Sequence, residues 1–228
     1  MIDRSLFFLG YYDYDTTNAI NRLCKEGMIA LDIGANIGVY TFRMAKLVGK
    51  TGKVIAFEPM SWAFLKLKKN FELNNFHNIT LEKLALTNKQ KKENTFFKSS
   101  WSTDGVLKDI AQKKELIEFT TLDEYLREKG INKVDFIKID VDGYEYRVLQ
   151  GAIDALKIFK PIIILEIANY TLTNIEAVIS LLSNLGYEFY SEKNFRKYNN
   201  INNNINMLKN SIKKYLKIDV ILSVKPLQ

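Results

Sequence analysis

Residues 30–40 read ALDIGANIGVY. An apolar run carries Asp32 near its end, turns at Gly34 and Gly38, and gives way to apolar residues at helical spacing from Val39 onward. A strand that meets a glycine turn and then a helix opens many nucleotide-binding sites, because the helix N-terminus presents free backbone N–H groups there. Working outward, the same alternation continues. Strands are expected at residues 29–33, 53–57, 79–86, 136–141 and 162–167, with shorter ones at 95–98 and 117–121. Helices are expected at 39–48, at 61–73 with Ser61 as N-cap, from Thr121 or Asp123 to Gly130, at 145–156 and at 173–185. Two last strands, 187–191 and 218–224, flank an asparagine-rich loop and an amphipathic helix with Ile205, Leu208, Ile212 and Leu216 inward. Strands alternating with helices imply an α/β fold, a mostly parallel sheet covered on both faces.

The turn itself narrows the ligand. A phosphate-binding P-loop ends in Gly-Lys-Ser/Thr, whereas this turn ends Gly38-Val39, so ATP and GTP are excluded. The dinucleotide fingerprint G-x-G-x-x-G is not met by Gly34-Ala35-Asn36-Ile37-Gly38. Asp32, two residues before the turn, would repel a pyrophosphate at the helix N-terminus. It suits a cofactor with positive charge and no phosphate, and S-adenosylmethionine, with its ammonium and sulfonium, answers that description. Glu58 closes the next strand in VIAFEP and can accept both ribose hydroxyls. NAD sites share such an acid, so it is Asp32 and the glycine spacing that discriminate.

Composition agrees with a soluble enzyme-sized domain. Of 228 residues 47% are hydrophobic, enough for a substantial core, and the single cysteine, Cys24, precludes an internal disulfide and reads as a small buried apolar residue. The N-terminal stretch lacks the basic start and long apolar core of a signal peptide, and the longest apolar run, residues 161–165, is far too short to span a bilayer. A cytoplasmic location is expected. Residues 192–228 hold eight basic and two acidic residues and so carry six of the seven net positive charges. One domain is expected over residues 1–228: an N-terminal cover segment at 1–27, a core at 28–190, and a loop, basic helix and final strand at 191–228.

ALDIGANIGVYTF, VIAFEP, FIKIDVDGYEYRVLQGA and PIIILEI, in that order, resemble the FkbM family of S-adenosylmethionine-dependent methyltransferases, from about residue 28 to about residue 190. The resemblance implies a Rossmann-like class I methyltransferase sandwich. Its sheet would have seven mostly parallel strands with an antiparallel C-terminal strand, and the cofactor would lie at the carboxyl ends of the strands. It implies a cofactor site of Asp32, Gly34, Ala35, Asn36, Gly38, Thr41, Glu58, Pro59, Asn88 and Asp140. Two positions depart from the family pattern: Asp142 stands where Glu is usual, and Asn88 near a usual Asp that reads adenine.

Methyl transfer needs an aligned nucleophile and, for a hydroxyl acceptor, a destination for its proton. Lys138, Asp140 and Glu166 are the catalytic candidates, with Asp142 and Tyr144 nearby. Lys138 and Asp140 share one side of a strand, so a structural ion pair is the competing reading. If a metal such as magnesium is bound, Asp140 and Glu166 are its candidate ligands. The sole histidine, His77, falls in a loop away from the carboxyl-end face and is not assigned as base. Trp101 reads equally as a sugar-stacking residue or a loop anchor, and Tyr11, Tyr12 and Tyr14 read as part of a lid or as packing of an N-terminal segment onto the domain. The expected activity is O-methylation of a sugar, glycan or glycosylated metabolite. RNA methylation through the basic tail and a non-catalytic binding domain are the alternatives; NAD-dependent oxidoreduction fails on the turn.

Overall fold

The computed structural model describes residues 13–95, 115–168, 173–198, 209 and 217–227. Its main sheet has seven strands in the order β3-β2-β1-β7-β8-β10-β9. These are β1 (Ile29–Ile33), β2 (Lys53–Phe57), β3 (Ile79–Glu82), β7 (Phe136–Ile139), β8 (Ile162–Ala168), β9 (Glu188–Ser191) and β10 (Lys217–Ser223). The five strands from β3 to β8 run parallel, and β10 runs antiparallel to both β8 and β9. The order in which strands are added across the sheet reverses at β1, which pairs β2 on one side and β7 on the other, both in parallel. Open α/β sheets bind ligands beyond the carboxyl ends of their strands at such a switch point.

The central strands are apolar on both faces because helices cover both. One face packs Leu31, Ile33, Ile55, Ile137 and Leu165 against α4 (Leu122–Glu128), α5 (Glu145–Gln150), α6 (Ile153–Phe159) and α7 (Ile175–Asn184). The other packs Ala30, Val54, Phe136, Ile164 and Ile221 against α1 (Tyr14–Leu23) and α2 (Val39–Val48). Helix α1 was not read from the sequence as a helix. Asp13 caps it, accepting from the Asp15 and Thr16 N–H groups, and its buried side includes Ala19, Ile20 and Leu23. Tyr14 is 62% exposed and does not pack the segment down as expected. No described helix is long and apolar enough to cross a membrane.

Several expected boundaries shift for tertiary reasons. The strand expected at 79–86 breaks after Glu82, and β4 (Ala85–Leu86) leaves the main sheet to pair with β6 (Glu115–Thr120). β6 also pairs antiparallel with β5 (Lys91–Thr95), completing a small three-stranded sheet. The helix expected at 145–156 divides at Gly151, where a Cβ would lie 1.9 Å from the Thr87 carbonyl oxygen. Backbone approaching that closely admits only glycine. In the helix α3 (Ser61–Glu72) Ser61 is the first helical residue rather than the N-cap; that position is Met60, which supplies no side-chain bond. Trp101, Tyr11, Tyr12 and the amphipathic pattern at Ile205, Leu208, Ile212 and Leu216 lie outside the described residues.

Candidate active site

The loop after β1 is pinned from three sides. The N–H groups of Gly34 and Ala35 both donate to the Phe57 carbonyl, at 3.0 and 2.9 Å. Gly34 lies at φ 88°, and a Cβ on it would meet the Asp140 carbonyl oxygen at 1.8 Å, so the loops after β1 and β7 touch at that point. Asn36, in the left-handed region at φ 51°, donates its N–H to Glu58 Oε2 at 2.8 Å. Gly38 is the N-cap of α2 and Ala35 packs with Ala56 and Leu67.

Two acids stand at the ends of β1 and β2. Asp32 is 1% exposed; its Oδ2 accepts the Thr41 hydroxyl at 2.5 Å, while Oδ1 is buried with no partner among the described residues. Burial pushes its carboxyl above the usual range, against the pull of Lys138 and Thr41. Glu58 accepts the Met60 N–H on Oε1 at 2.9 Å as well as that of Asn36. Burial carries its pKa up to about 7 despite those two donors. Beside these acids lies an apolar pocket, open to solvent, whose walls include Gly34, Pro59, Leu84, Phe119, Val141 and Tyr144. Asn88 is not among its lining residues: its amide donates to Gln150 Oε1 at 3.0 Å, at the surface.

On the α1/α2 face, charged residues run across the strands in a row. The β1–β7 register sets Lys138 beside Asp32, and the β8–β10 register sets Asp219 opposite Glu166. Lys138 is 2% exposed, 2.9 Å from Asp140 Oδ2 and 4.7 Å above the Tyr40 ring. Burial pulls its ammonium down, but Asp140, Asp219 and Asp32 together hold it above the usual lysine range. Burial raises the Asp140 carboxyl and Lys138 more than reverses this, leaving it below its ordinary value. Glu166 is buried and pairs with Lys217 at 2.6 Å; burial, then the neighbouring charge of Asp140, lifts its pKa to about 8. Asp140, Asp142 and Glu166 each bring one oxygen within 4.8 Å of the others. His77 is exposed.

The structure thus gathers Asp32, Thr41, Lys138, Asp140 and Glu166 and leaves Asn88 apart. It adds three residues that sequence reasoning passed over. Lys217 is one of eight basic residues in the C-terminal segment, and its charge there does not single it out. Asp219 breaks an apolar strand just as Glu166 does, a signal that was available. Thr16, which donates to Asp219 Oδ2, follows an acidic stretch that gave no hint of its place.

The methyltransferase FkbM domain model matches residues 32–189, close to the span read from the sequence. No match is found among curated proteins. Among solved structures, a putative rRNA-methylase from Clostridium thermocellum superposes with a TM-score of 0.55 at 17% identity, over 91% of this chain and 92% of that one. A putative methyltransferase from Streptococcus mutans, solved in complex with SAH, gives 0.54 at 12% identity, over 91% and 94%. A methyltransferase FkbM from Methylobacillus flagellatus is 19% identical with a TM-score of 0.49. The match covers 78% of this chain but only 40% of the longer protein. With the family model matched over residues 32–189, which hold the glycine turn and the strand ends that carry Glu58, Asp140 and Glu166, this chain belongs to the FkbM methyltransferase family and has the class I methyltransferase fold.

Proposed function

We propose that the chain binds S-adenosylmethionine and methylates a hydroxyl of a sugar, glycan or glycosylated metabolite. The observation that carries the cofactor reading is Asp32 Oδ1, a buried carboxylate oxygen without a partner among the described residues. Such an atom is costly unless a donor reaches it, and an ammonium is the donor that also answers its charge. Glu58 then takes the ribose hydroxyls on the lone pairs its two backbone donors leave free. The apolar pocket beside Pro59 and Tyr144 suits adenine.

Strand order supports the rest of the reading. Neighbouring strands lie about 4.8 Å apart, and the order β2-β1-β7-β8-β10 sets out Glu58, Asp32, Asp140, Glu166 and Asp219 in sequence. Ribose over β2 and ammonium over β1 leave β7, β8 and β10 to the acceptor. When bound, S-adenosylmethionine supplies a methyl carbon on sulfonium, which the acceptor oxygen attacks while the C–S electron pair passes to sulfur. Asp140, kept ionised by Lys138, orients the acceptor hydroxyl, and Glu166, whose pKa of about 8 lies near neutrality, takes its proton. Magnesium at Asp140, Asp142 and Glu166 is the alternative counter-charge; it would have to displace Lys138 and Lys217, which already hold two of the three.

A small acceptor is favoured over RNA. Lys193, Lys197, Lys209 and Lys217 in the basic segment each lie within 4.0 Å of one of the chain's own carboxylates. That leaves less free positive charge for a phosphate backbone.

Calorimetric titration with S-adenosylmethionine, S-adenosylhomocysteine and NAD tests the cofactor. The first two are expected to bind and NAD not to. Asp32→Asn should weaken S-adenosylmethionine about 100-fold without lowering the melting temperature, since it removes a buried charge and keeps an acceptor for Thr41. Binding of NAD instead, or an unchanged affinity in the variant, would sink the reading. The pH dependence follows from Glu58. Its ionised form is the one that accepts both hydroxyls, so protons compete below its pKa of about 7. Affinity should fall about tenfold from about pH 8 to about pH 6, and Glu58→Gln should flatten that slope; an equally steep slope in the variant assigns it to another group.

A further inference from the structure

Helix α3 starts without a cap of its own, since Met60 makes no side-chain bond to it. The missing acceptor comes from the other sheet. Both carboxylate oxygens of Glu115, the first residue of β6, accept the Ser61 N–H, at 3.0 and 3.1 Å, and the Ser61 hydroxyl donates to Oε1. Lys83 lies 3.0 Å from the same oxygen. Burial acts to raise the Glu115 carboxyl, but the Ser61 donors and Lys83 outweigh it and hold it below its usual range. A carboxylate at this end of a twelve-residue helix meets the positive end of its dipole as well as a free N–H.

What this cap holds is the segment that carries the ribose acid. Ser61 follows Met60 directly, and the Met60 N–H is one of the two donors that orient Glu58. The Met60 carbonyl accepts from Phe64 as α3 begins. Met60 packs against the cluster of Ala85, Ile117 and Phe119, the last two from β6, and Phe119 lines the apolar pocket. One strand therefore caps the helix, packs against Met60 and walls the pocket.

Resting on the cofactor reading above, we propose that Glu115 is a positioning residue for ribose recognition. By capping α3 from the small sheet it fixes the Met60 N–H, and through it the direction of the Glu58 carboxylate. The function of Glu115 is thus exercised through Glu58, and the two should be energetically coupled.

A double-mutant cycle on S-adenosylmethionine affinity, read by calorimetry on the full chain, tests this. Glu115→Ala should raise Kd about tenfold in the wild-type background and less than about twofold beside Glu58→Gln. Glu115→Gln, which keeps one acceptor oxygen for Ser61, should raise Kd only about threefold. If Glu115→Ala does not fold, the cycle is run with Glu115→Gln, where a coupling of about threefold is expected. An equal factor in both backgrounds, or no change in Kd, overturns the assignment, because a purely structural cap would act independently of Glu58. Failure of the wild-type protein to bind S-adenosylmethionine overturns the cofactor reading itself, and is told apart from additivity in a protein that binds.

Discussion

Gly34→Ala is expected to abolish cofactor binding and to destabilise the protein by about 3–4 kcal/mol. Two separate penalties meet at this residue. Its φ of 88° lies where a side chain is strained whatever the space around it. The added Cβ would also lie 1.8 Å from the Asp140 carbonyl oxygen and 2.8 Å from its carbon, and these are backbone atoms that no rotamer change can move aside. Relief requires the loops after β1 and β7 to separate. The first is held by the Phe57 carbonyl and the second by the Asp140 N–H bond to the Ile33 carbonyl, at 3.0 Å. Separation would shift Asp140 away from Asp32 and Glu58 together. Urea denaturation measures the stability loss and calorimetric titration the binding. A variant that binds S-adenosylmethionine as the wild type does would show that the contact between the two loops is not needed for the site.

Lys138→Met should cost about 3–5 kcal/mol near neutral pH, because it leaves buried carboxylates without their cation. The lysine is 2% exposed and is the largest favourable charge felt by Asp32, Asp140 and Asp219, the last two of which also feel Lys217. Methionine matches the apolar stem and can lie on Tyr40, so the loss reports charge rather than volume. The sign of its pH dependence follows from the partners. In the wild type Asp140 sits below its unfolded value, so its stabilising contribution is present above that value and fades as pH falls. Without Lys138 the carboxylates are raised instead, and folding is relieved when they take up protons. The deficit of the variant should therefore shrink from about pH 7 to about pH 5, as read from urea midpoints. An equal deficit at both values would mean that the lysine stem, not its charge, carries the effect.

The parts of the site legible in the sequence are those built from neighbours in the chain. Residues 30–40 hold strand, turn and helix in one run, so the positions of Asp32, Gly34 and Gly38 followed from local geometry. Lys138 and Asp140 were paired by the two-residue period of a strand, and the 2.9 Å contact bears that out. Glu166 was conspicuous because a carboxylate ended an apolar run. Where the reading went astray, a distant segment had intervened. Ser61 offers a good capping side chain, yet Glu115 does the capping. The apolar pattern at 79–86 reads as one strand, yet its last two residues found a different partner.

The amino-acid sequence by itself determined the alternation of strands and helices, the ligand class admitted by the first turn, and the acids at the strand ends. These depend on hydrophobic period, on glycine, and on charge carried by single residues. Only the tertiary structure decided that β10 inserts between β8 and β9, which brings Lys217 and Asp219 to Glu166. It alone seated α1 so that Thr16 reaches Asp219, and set Glu115 at the start of α3. Those contacts join residues far apart in the chain, and no local pattern encodes them: a buried carboxylate needs a partner, but its own sequence neighbourhood does not say which strand or helix will bring one.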